Sequence, residues 1–237
     1  MPKSSRQMRL GTRHLAQLVY EATEEQVPAG LTLSTGQDHQ DTMQRLLAQA
    51  PDTSEIWFFA YGSLIWKPAC DFVELRTGLV RGWHRSFCLG WNERHRGNPQ
   101  NPGLMLALDR GGACKGALYR LPPDAVAPNF IKLLEREMSF KPSAFPPRWV
   151  KAETANGPIT ALTFAMDRKS GRYVSGLSNA QIADVLSSAV GARGSMAEYL
   201  FSTVKHLEEM GIHDPHLWEL QDLVADRIEA RHGLEQG

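Results

Sequence analysis

The hydrophobic and polar positions of this chain fall into three stretches: a weakly helical beginning, a strand-rich middle and a helical end. Residues 56–61 (IWFFAY) are an unbroken apolar and aromatic run halted by Gly62 and Ser63, the pattern of a strand buried on both faces and ended by a turn. Further strand-like segments follow at 79–89, 104–108, 113–121, 148–155 and 159–166, punctuated by Gly, Pro and Asn. A helical period runs over 127–138, with Pro128 suited to its first turn. Three more helices close the chain. The first opens with a capping box of Ser178 and Gln181, and the second with one of Ser195 and Glu198, running to the stop signal Gly211. The third has Asp214 as its cap and Pro215 at its first position, and ends before Gly233. Strands first and helices last, with one helix inserted, is the order of an α+β protein, and the strands predict a mostly antiparallel sheet or small barrel.

Ahead of this body, residues 6–25 and 37–50 carry two weak helical patterns joined by a Pro/Gly/Thr-rich stretch at 27–36. The predicted organisation is therefore a helical N-terminal extension over 1–52 and one main domain over 53–232, the part that would carry any chemistry. Internal repeats and low-complexity tracts are absent from the sequence.

Composition narrows the partners. At 237 residues, 42% hydrophobic and 22% charged, the chain is long enough to bury a sizeable core. Its 26 basic side chains cancel its 26 acidic ones, so no overall field draws in nucleic acid or an anionic membrane surface. A small neutral or zwitterionic molecule fits better. No run approaches the about eighteen apolar residues of a membrane span, and the basic start is not followed by an apolar stretch, so the expected location is cytoplasmic. Cys70, Cys88 and Cys114 are widely spaced and read as buried structural thiols. His213 and His216 stand at i, i+3, but Asp214-Pro215 between them reads as a cap and first turn, with no third ligand at a recognisable spacing; no metal is predicted. Oligomeric state leaves no trace in the sequence.

Two places could carry chemistry. On a helical wheel at ~100° per residue, Phe130, Ile131, Leu133, Leu134 and Met138 share one side, while Lys132, Glu135 and Arg136 share the other. Glu137 falls within the apolar stripe, which aims a carboxylate at the interior, where desolvation and the C-terminal helix dipole both raise its pKa. A carboxyl tuned in that direction is a competent general base and acid. The competing reading is a glutamate that reaches the rim or pairs with a structural arginine such as Arg148. The second place is the turn Tyr61-Gly62-Ser63-Leu64, where a glycine directly after a buried strand lets the backbone bend and successive N–H groups converge on an anion. Taken by itself, such a turn also fits a purely structural role.

Together the two features resemble the ChaC branch of the γ-glutamylcyclotransferases. IWFFAYGSLIWKPACDF is similar to that family's opening strand and YGSL signature. Then follow GLVRGWHRSFCLGWNERHRGNPQNPGLMLAL, GALYRLP, LLEREM and the EYLF helix, in the family's order from about residue 56 to about 227. Two departures stand out: Ser139-Phe-Lys-Pro-Ser-Ala-Phe-Pro-Pro147 replaces the glycines and tyrosine common after the glutamate, and Ala60 replaces a common glycine.

The resemblance implies a small mixed or antiparallel β-barrel with flanking helices and a catalytic glutamate at Glu137. It also implies a substrate held by Phe59, Ala60, Tyr61, Gly62, Ser63 and Leu64, with Arg94 and Tyr199 as further contacts and Arg85 and Arg96 as other possible carboxylate holders. The implied reaction is the cleavage of glutathione to 5-oxoproline and Cys-Gly, with no cofactor. Two alternatives remain open on sequence: a cyclotransferase for other γ-glutamyl amines or amino acids, and an inert binding module of the same fold.

Overall fold

The computed structural model describes residues 7–19, 27 and 30–234. In chain order the elements are α1 (Thr12–Leu15), β1 (Thr32–Leu33), α2 (Gly36–Ala48), β2 (Trp57–Ala60), α3 (Ser63–Trp66), β3 (Glu74–Asn92) and β4 (Gly103–Arg120). Then come α4 (Val126–Glu137), β5 (Phe140–Lys141), β6 (Pro147–Thr154), β7 (Gly157–Phe164), α5 (Asn179–Leu186), β8 (Val190–Gly191), β9 (Gly194–Ser195), α6 (Met196–Glu209) and α7 (Pro215–His232). The chain divides into two compact units. One is built from Val27–Leu89 and Leu106–Tyr173, the other from Met1–Gln26, Gly90–Met105 and Val174–Gly237.

The first unit holds a closed barrel in the order β2-β4-β3-β6-β7. The expected α+β barrel with flanking helices is therefore the observed architecture, and it is mixed: β2 pairs antiparallel with β4 and parallel with β7. Trp57, Phe59, Val80, Leu108, Leu118, Val150 and Ala152 meet inside it, and Tyr61 and Trp83 pack against that cluster. Period-two alternation sends Phe58 to the opposite face, where its ring meets Phe164 at 6.0 Å, so β2 is buried on both sides as its sequence predicts. Each fully buried ring of this kind contributes about 1.5–3 kcal/mol of transfer free energy.

One expectation needs correction. Segments 104–108 and 113–121 are a single strand, β4, and not two. The glycines that read as a turn, Gly111 and Gly112, sit inside the strand at φ of 100° and 66°, and Gly111 O accepts a hydrogen bond from His84 Nδ1 at 3.0 Å. Left-handed glycine thus bends a strand here without ending it.

Around the barrel, α2 and α4 pack together. His39 Nε2 lies 3.1 Å from Met138 O, and Lys141 Nζ pairs with Asp38 at 2.7 Å. Residues 30–50 therefore belong to the barrel unit. Of the helical pattern expected over 6–25, α1 is present, while residue 6 and residues 20–25 lie outside the described residues.

In the second unit, Glu229 of α7 is 5% exposed and gathers Arg9 (2.7 Å), Arg13 (2.8 Å) and His14 Nε2 (3.0 Å). Leu10 N–H donates to the buried Gln221 Oε1 at 2.9 Å. The expected caps are present at Ser178, with its reciprocal Gln181 bond, and at Asp214, with Gly233 left-handed at the end of α7. At Ser195 only half of the box forms, because the Glu198 carboxylate turns to Arg96 Nη1 at 2.9 Å. Among the described residues no helix is long and apolar enough to cross a membrane.

Gly116 marks the tightest packing beside β2: a Cβ there would lie 2.4 Å from Ala60 O and 2.7 Å from the Phe59 ring. Gly116→Ala should destabilise the barrel by about 1–3 kcal/mol, seen as a lower Tm in a thermal melt. An unchanged Tm would show that β2 and β4 can separate without cost.

Candidate active site

Strand β2 delivers the chain to Tyr61 and Gly62 and then into the one-turn helix α3. The amides of Gly62, Ser63 and Leu64 precede the first bond of that turn, Ile65 N–H to Gly62 O at 2.9 Å, and are the donors a helix start leaves without an intrahelical acceptor. Three side chains fix this backbone. Arg85, 7% exposed, donates from Nε to Tyr61 O at 2.6 Å and from Nη2 to Lys115 O. Tyr119, 3% exposed, lies with its hydroxyl 3.2 Å from both Leu64 O and Ile65 O, and burial pushes its pKa up to about 12. Arg136 donates to Ser63 Oγ at 3.1 Å and to Lys67 O at the end of α3.

Arg136 stands on α4, whose sequence explains its pose. Phe130, Leu133 and Leu134 are fully buried, and the Phe130 ring lies 6.4 Å from Trp149 of β6, while Lys132 and Glu135 face solvent. The helix ends at Glu137, since Met138 leaves helical geometry at φ −116°, ψ 51°. Glu137 is therefore the last helical residue, 17% exposed, with Oε1 3.3 Å from Arg136 Nε. One guanidinium thus touches both the glutamate and Ser63 of the turn. Burial pushes the Glu137 pKa up, and the positive charge of Arg136 pulls it part of the way back. By linkage, the stability such a carboxyl contributes is full below its unfolded pKa and is lost as pH rises through the folded one.

The other expected site residues are placed as follows. Phe59 and Ala60 are fully buried in β2, paired with Leu118 and Ala117 of β4, and Phe59 O accepts from Thr163 Oγ1 at 2.9 Å. Arg94 and Tyr199 belong to the helical unit. Tyr199 is 3% exposed beneath the Arg96 guanidinium at 5.4 Å, and Arg96 also donates to Ser195 O at 2.7 Å. Arg85, expected as a carboxylate holder, instead binds two backbone carbonyls. His213 Nδ1 meets Glu208 at 2.7 Å, and His216 Nε2 meets Asn179 at 3.0 Å. All three cysteines are buried, and burial pushes Cys70 up to about 11 and Cys88 up to about 12.

Sequence reasoning missed Arg136 and Tyr119. Arg136 shares the REM segment with Glu137, yet its wheel position assigns it to the solvent face. Tyr119 was readable only as an apolar strand residue with a polar tip that needs a partner when buried. On the barrel, β3 and β6 flank a cleft of about 380 Å³ lined by Val80, Trp83, Trp149, Val150 and Lys151, among others, and none of Glu137, Arg136, Tyr119 or the turn residues lines it.

Fold and site together define a small α+β barrel protein with a mostly buried carboxylate tied through one arginine to a glycine turn. The chain belongs to the family described as ChaC-like protein, which its residues 56–227 match. A curated relative from Escherichia coli K12, named glutathione-specific gamma-glutamylcyclotransferase, is 38% identical over 175 residues, covering 73% of this chain and 74% of the relative. A mouse protein named glutathione-specific gamma-glutamylcyclotransferase 1 is 29% identical over 199 residues, covering 78% and 85%. In fold, the chain is similar to a crystal structure of a yeast gamma-glutamyl cyclotransferase specific to glutathione, with TM-score 0.66 and 20% identity over 76% of this chain and 99% of that one.

The bracing of the turn can be tested without substrate. Tyr119→Phe should speed hydrogen exchange at the Ile65 and Lys67 amides while leaving the barrel strands protected. Unchanged exchange at both amides would show that the hydroxyl does not hold α3.

Proposed function

We propose that this protein is a glutathione-specific γ-glutamylcyclotransferase, acting in the cytoplasm, with residues 53–232 as the catalytic portion and Glu137 as its acid/base. The observation that carries this reading is the Arg136 guanidinium lying between the Glu137 carboxylate at 3.3 Å and Ser63 Oγ at 3.1 Å. Membership of the ChaC-like family and the names of the relatives supply the substrate.

The free α-amine of the γ-glutamyl unit attacks its own side-chain amide carbonyl. A C–N bond closes a five-membered ring, the carbonyl π pair moves onto oxygen, and Glu137 takes the proton that the amine must lose. The amides of Gly62, Ser63 and Leu64 then offer donors to the oxyanion. Collapse expels the amide nitrogen, which takes its proton back from Glu137, and 5-oxoproline and Cys-Gly leave. Because the nucleophile belongs to the substrate, the enzyme needs no nucleophilic side chain, and intramolecular proximity supplies much of the acceleration. Phe59 and Ala60 enter only through their backbone, and Arg94 and Tyr199 take no step in this scheme.

Glu137→Gln should lower the release of 5-oxoproline from glutathione by about 10²- to 10⁴-fold with an unchanged melting profile; retained turnover would remove Glu137 from the chemistry. A second expectation concerns pH. The base must be ionised, so kcat/KM falls on the acid side through a Glu137 pKa raised by burial and lowered by Arg136. Arg136→Met removes the lowering influence and should move that acid limb to higher pH. A limb that stays in place, or moves to lower pH, contradicts the assignment.

A further inference from the structure

We infer that Arg148, stacked on Trp83 with Arg110 alongside, is an anion-recognition site for a carboxylate of the γ-glutamyl substrate, at the barrel end that carries the Tyr61–Leu64 turn. The inference rests on the cyclotransferase reading above and extends it to how the substrate is gripped.

Strand register places the group. In β6, Arg148 alternates with Val150 and Ala152, which build the barrel core, so its side chain leaves the strand on the inward face. Arg148 pairs across the sheet with Thr163, whose hydroxyl donates to Phe59 O at 2.9 Å, two residues before Tyr61. In β3, Trp83 lies two residues from Arg85, hence one pleat along the same face, and Arg85 holds Tyr61 O. Trp83 and Tyr61 pack on the same core cluster.

The charges in this corner are unbalanced. The Arg148 guanidinium stacks on the Trp83 ring at 4.8 Å, and that of Arg110 stands 5.8 Å from the same ring. Among the described residues Arg148 makes no hydrogen bond or ion pair, and its Nε is buried without an acceptor. Asp109, next in sequence to Arg110, is engaged by Arg168 at 2.7 and 3.0 Å and by the Tyr173 hydroxyl at 3.0 Å. Asp167 attracts Arg148 without forming an ion pair, while burial and then repulsion from Arg110 press the Arg148 pKa down. Two neighbouring cations, one facing inward without a partner, cost free energy in the empty protein that a bound carboxylate relieves. Stacking on the indole holds the planar fork in place, and a fork presents two parallel donors to a carboxylate. A structural arginine at this place would instead satisfy its Nε on a carbonyl, as Arg85 does on Tyr61.

The test is calorimetric titration of glutathione, and of its glycyl ethyl ester, into Glu137→Gln protein with and without Arg148→Met, beside turnover in the wild-type background. Arg148→Met should weaken glutathione binding by about tenfold to a hundredfold, and raise KM with little change in kcat. Arg148→Lys should recover part of the loss, and Arg110→Ala, at an exposed position, should lose less. If the ester binds weakly to both proteins, the carboxylate is the glycyl one; if ester and glutathione lose affinity alike, it is the α-carboxylate. Should Arg148→Met fail to fold, Arg148→Lys and Arg110→Ala carry the same comparison. Unchanged affinity for both ligands in the folded variants, or no glutathione binding with Arg148 present, overturns the proposal. Binding that responds to Arg148, where the wild-type protein releases no 5-oxoproline from glutathione, contradicts the cyclotransferase reading alone.

Discussion

The guanidinium of Arg136 joins the two halves of the candidate site. Its Nε faces Glu137 Oε1 at 3.3 Å, while its Nη groups reach Ser63 Oγ and Lys67 O on the turn after β2. A carboxylate at the C-terminal end of a helix, 17% exposed, is unfavourable twice over, through desolvation and through the helix dipole. The arginine offsets part of that cost, and its planar fork also fixes where the carboxylate stands relative to the turn. Charge compensation and positioning therefore come from one group. The arrangement also requires α4 to end at Glu137, and the chain does leave helical geometry at Met138, whose carbonyl meets His39 of α2.

The barrel supplies rigid ground for this contact. Short helices such as α3 have little stability of their own. Here the carbonyls around it are held from β3 by Arg85 and from β4 by Tyr119, both nearly buried, so the turn amides are aimed by groups that cannot easily move. Donors fixed in advance need no reorganisation when negative charge develops before them, which is the condition for oxyanion stabilisation. The unpartnered Arg148 contrasts with these satisfied groups: its Nε is buried without an acceptor.

Much of this was legible in the sequence, and the exceptions have physical causes. IWFFAY announced a strand buried on both faces, and Ser178, Asp214 and Gly233 announced helix ends, because burial period and capping are local properties. Gly111-Gly112 misled because left-handed glycines serve turns and strand bends alike, and only the pairing partners decide between them. The apolar wheel position of Glu137 gave its burial correctly, but the same wheel sent Arg136 to solvent. A long side chain at a helix end can fold back over the terminus, a freedom that Cβ direction does not encode. Arg85 read as a ligand for carboxylates and proved a ligand for backbone carbonyls, since guanidinium chemistry is the same toward both.

The central claim is that Glu137 is a carboxyl raised by burial and steadied by one arginine. Carbon-13 NMR of side-chain-labelled glutamate, assigned by comparison with Glu137→Gln, follows its protonation directly. The claim predicts a midpoint above that of the exposed glutamates in the same spectrum; a Glu137 midpoint at or below theirs would contradict it.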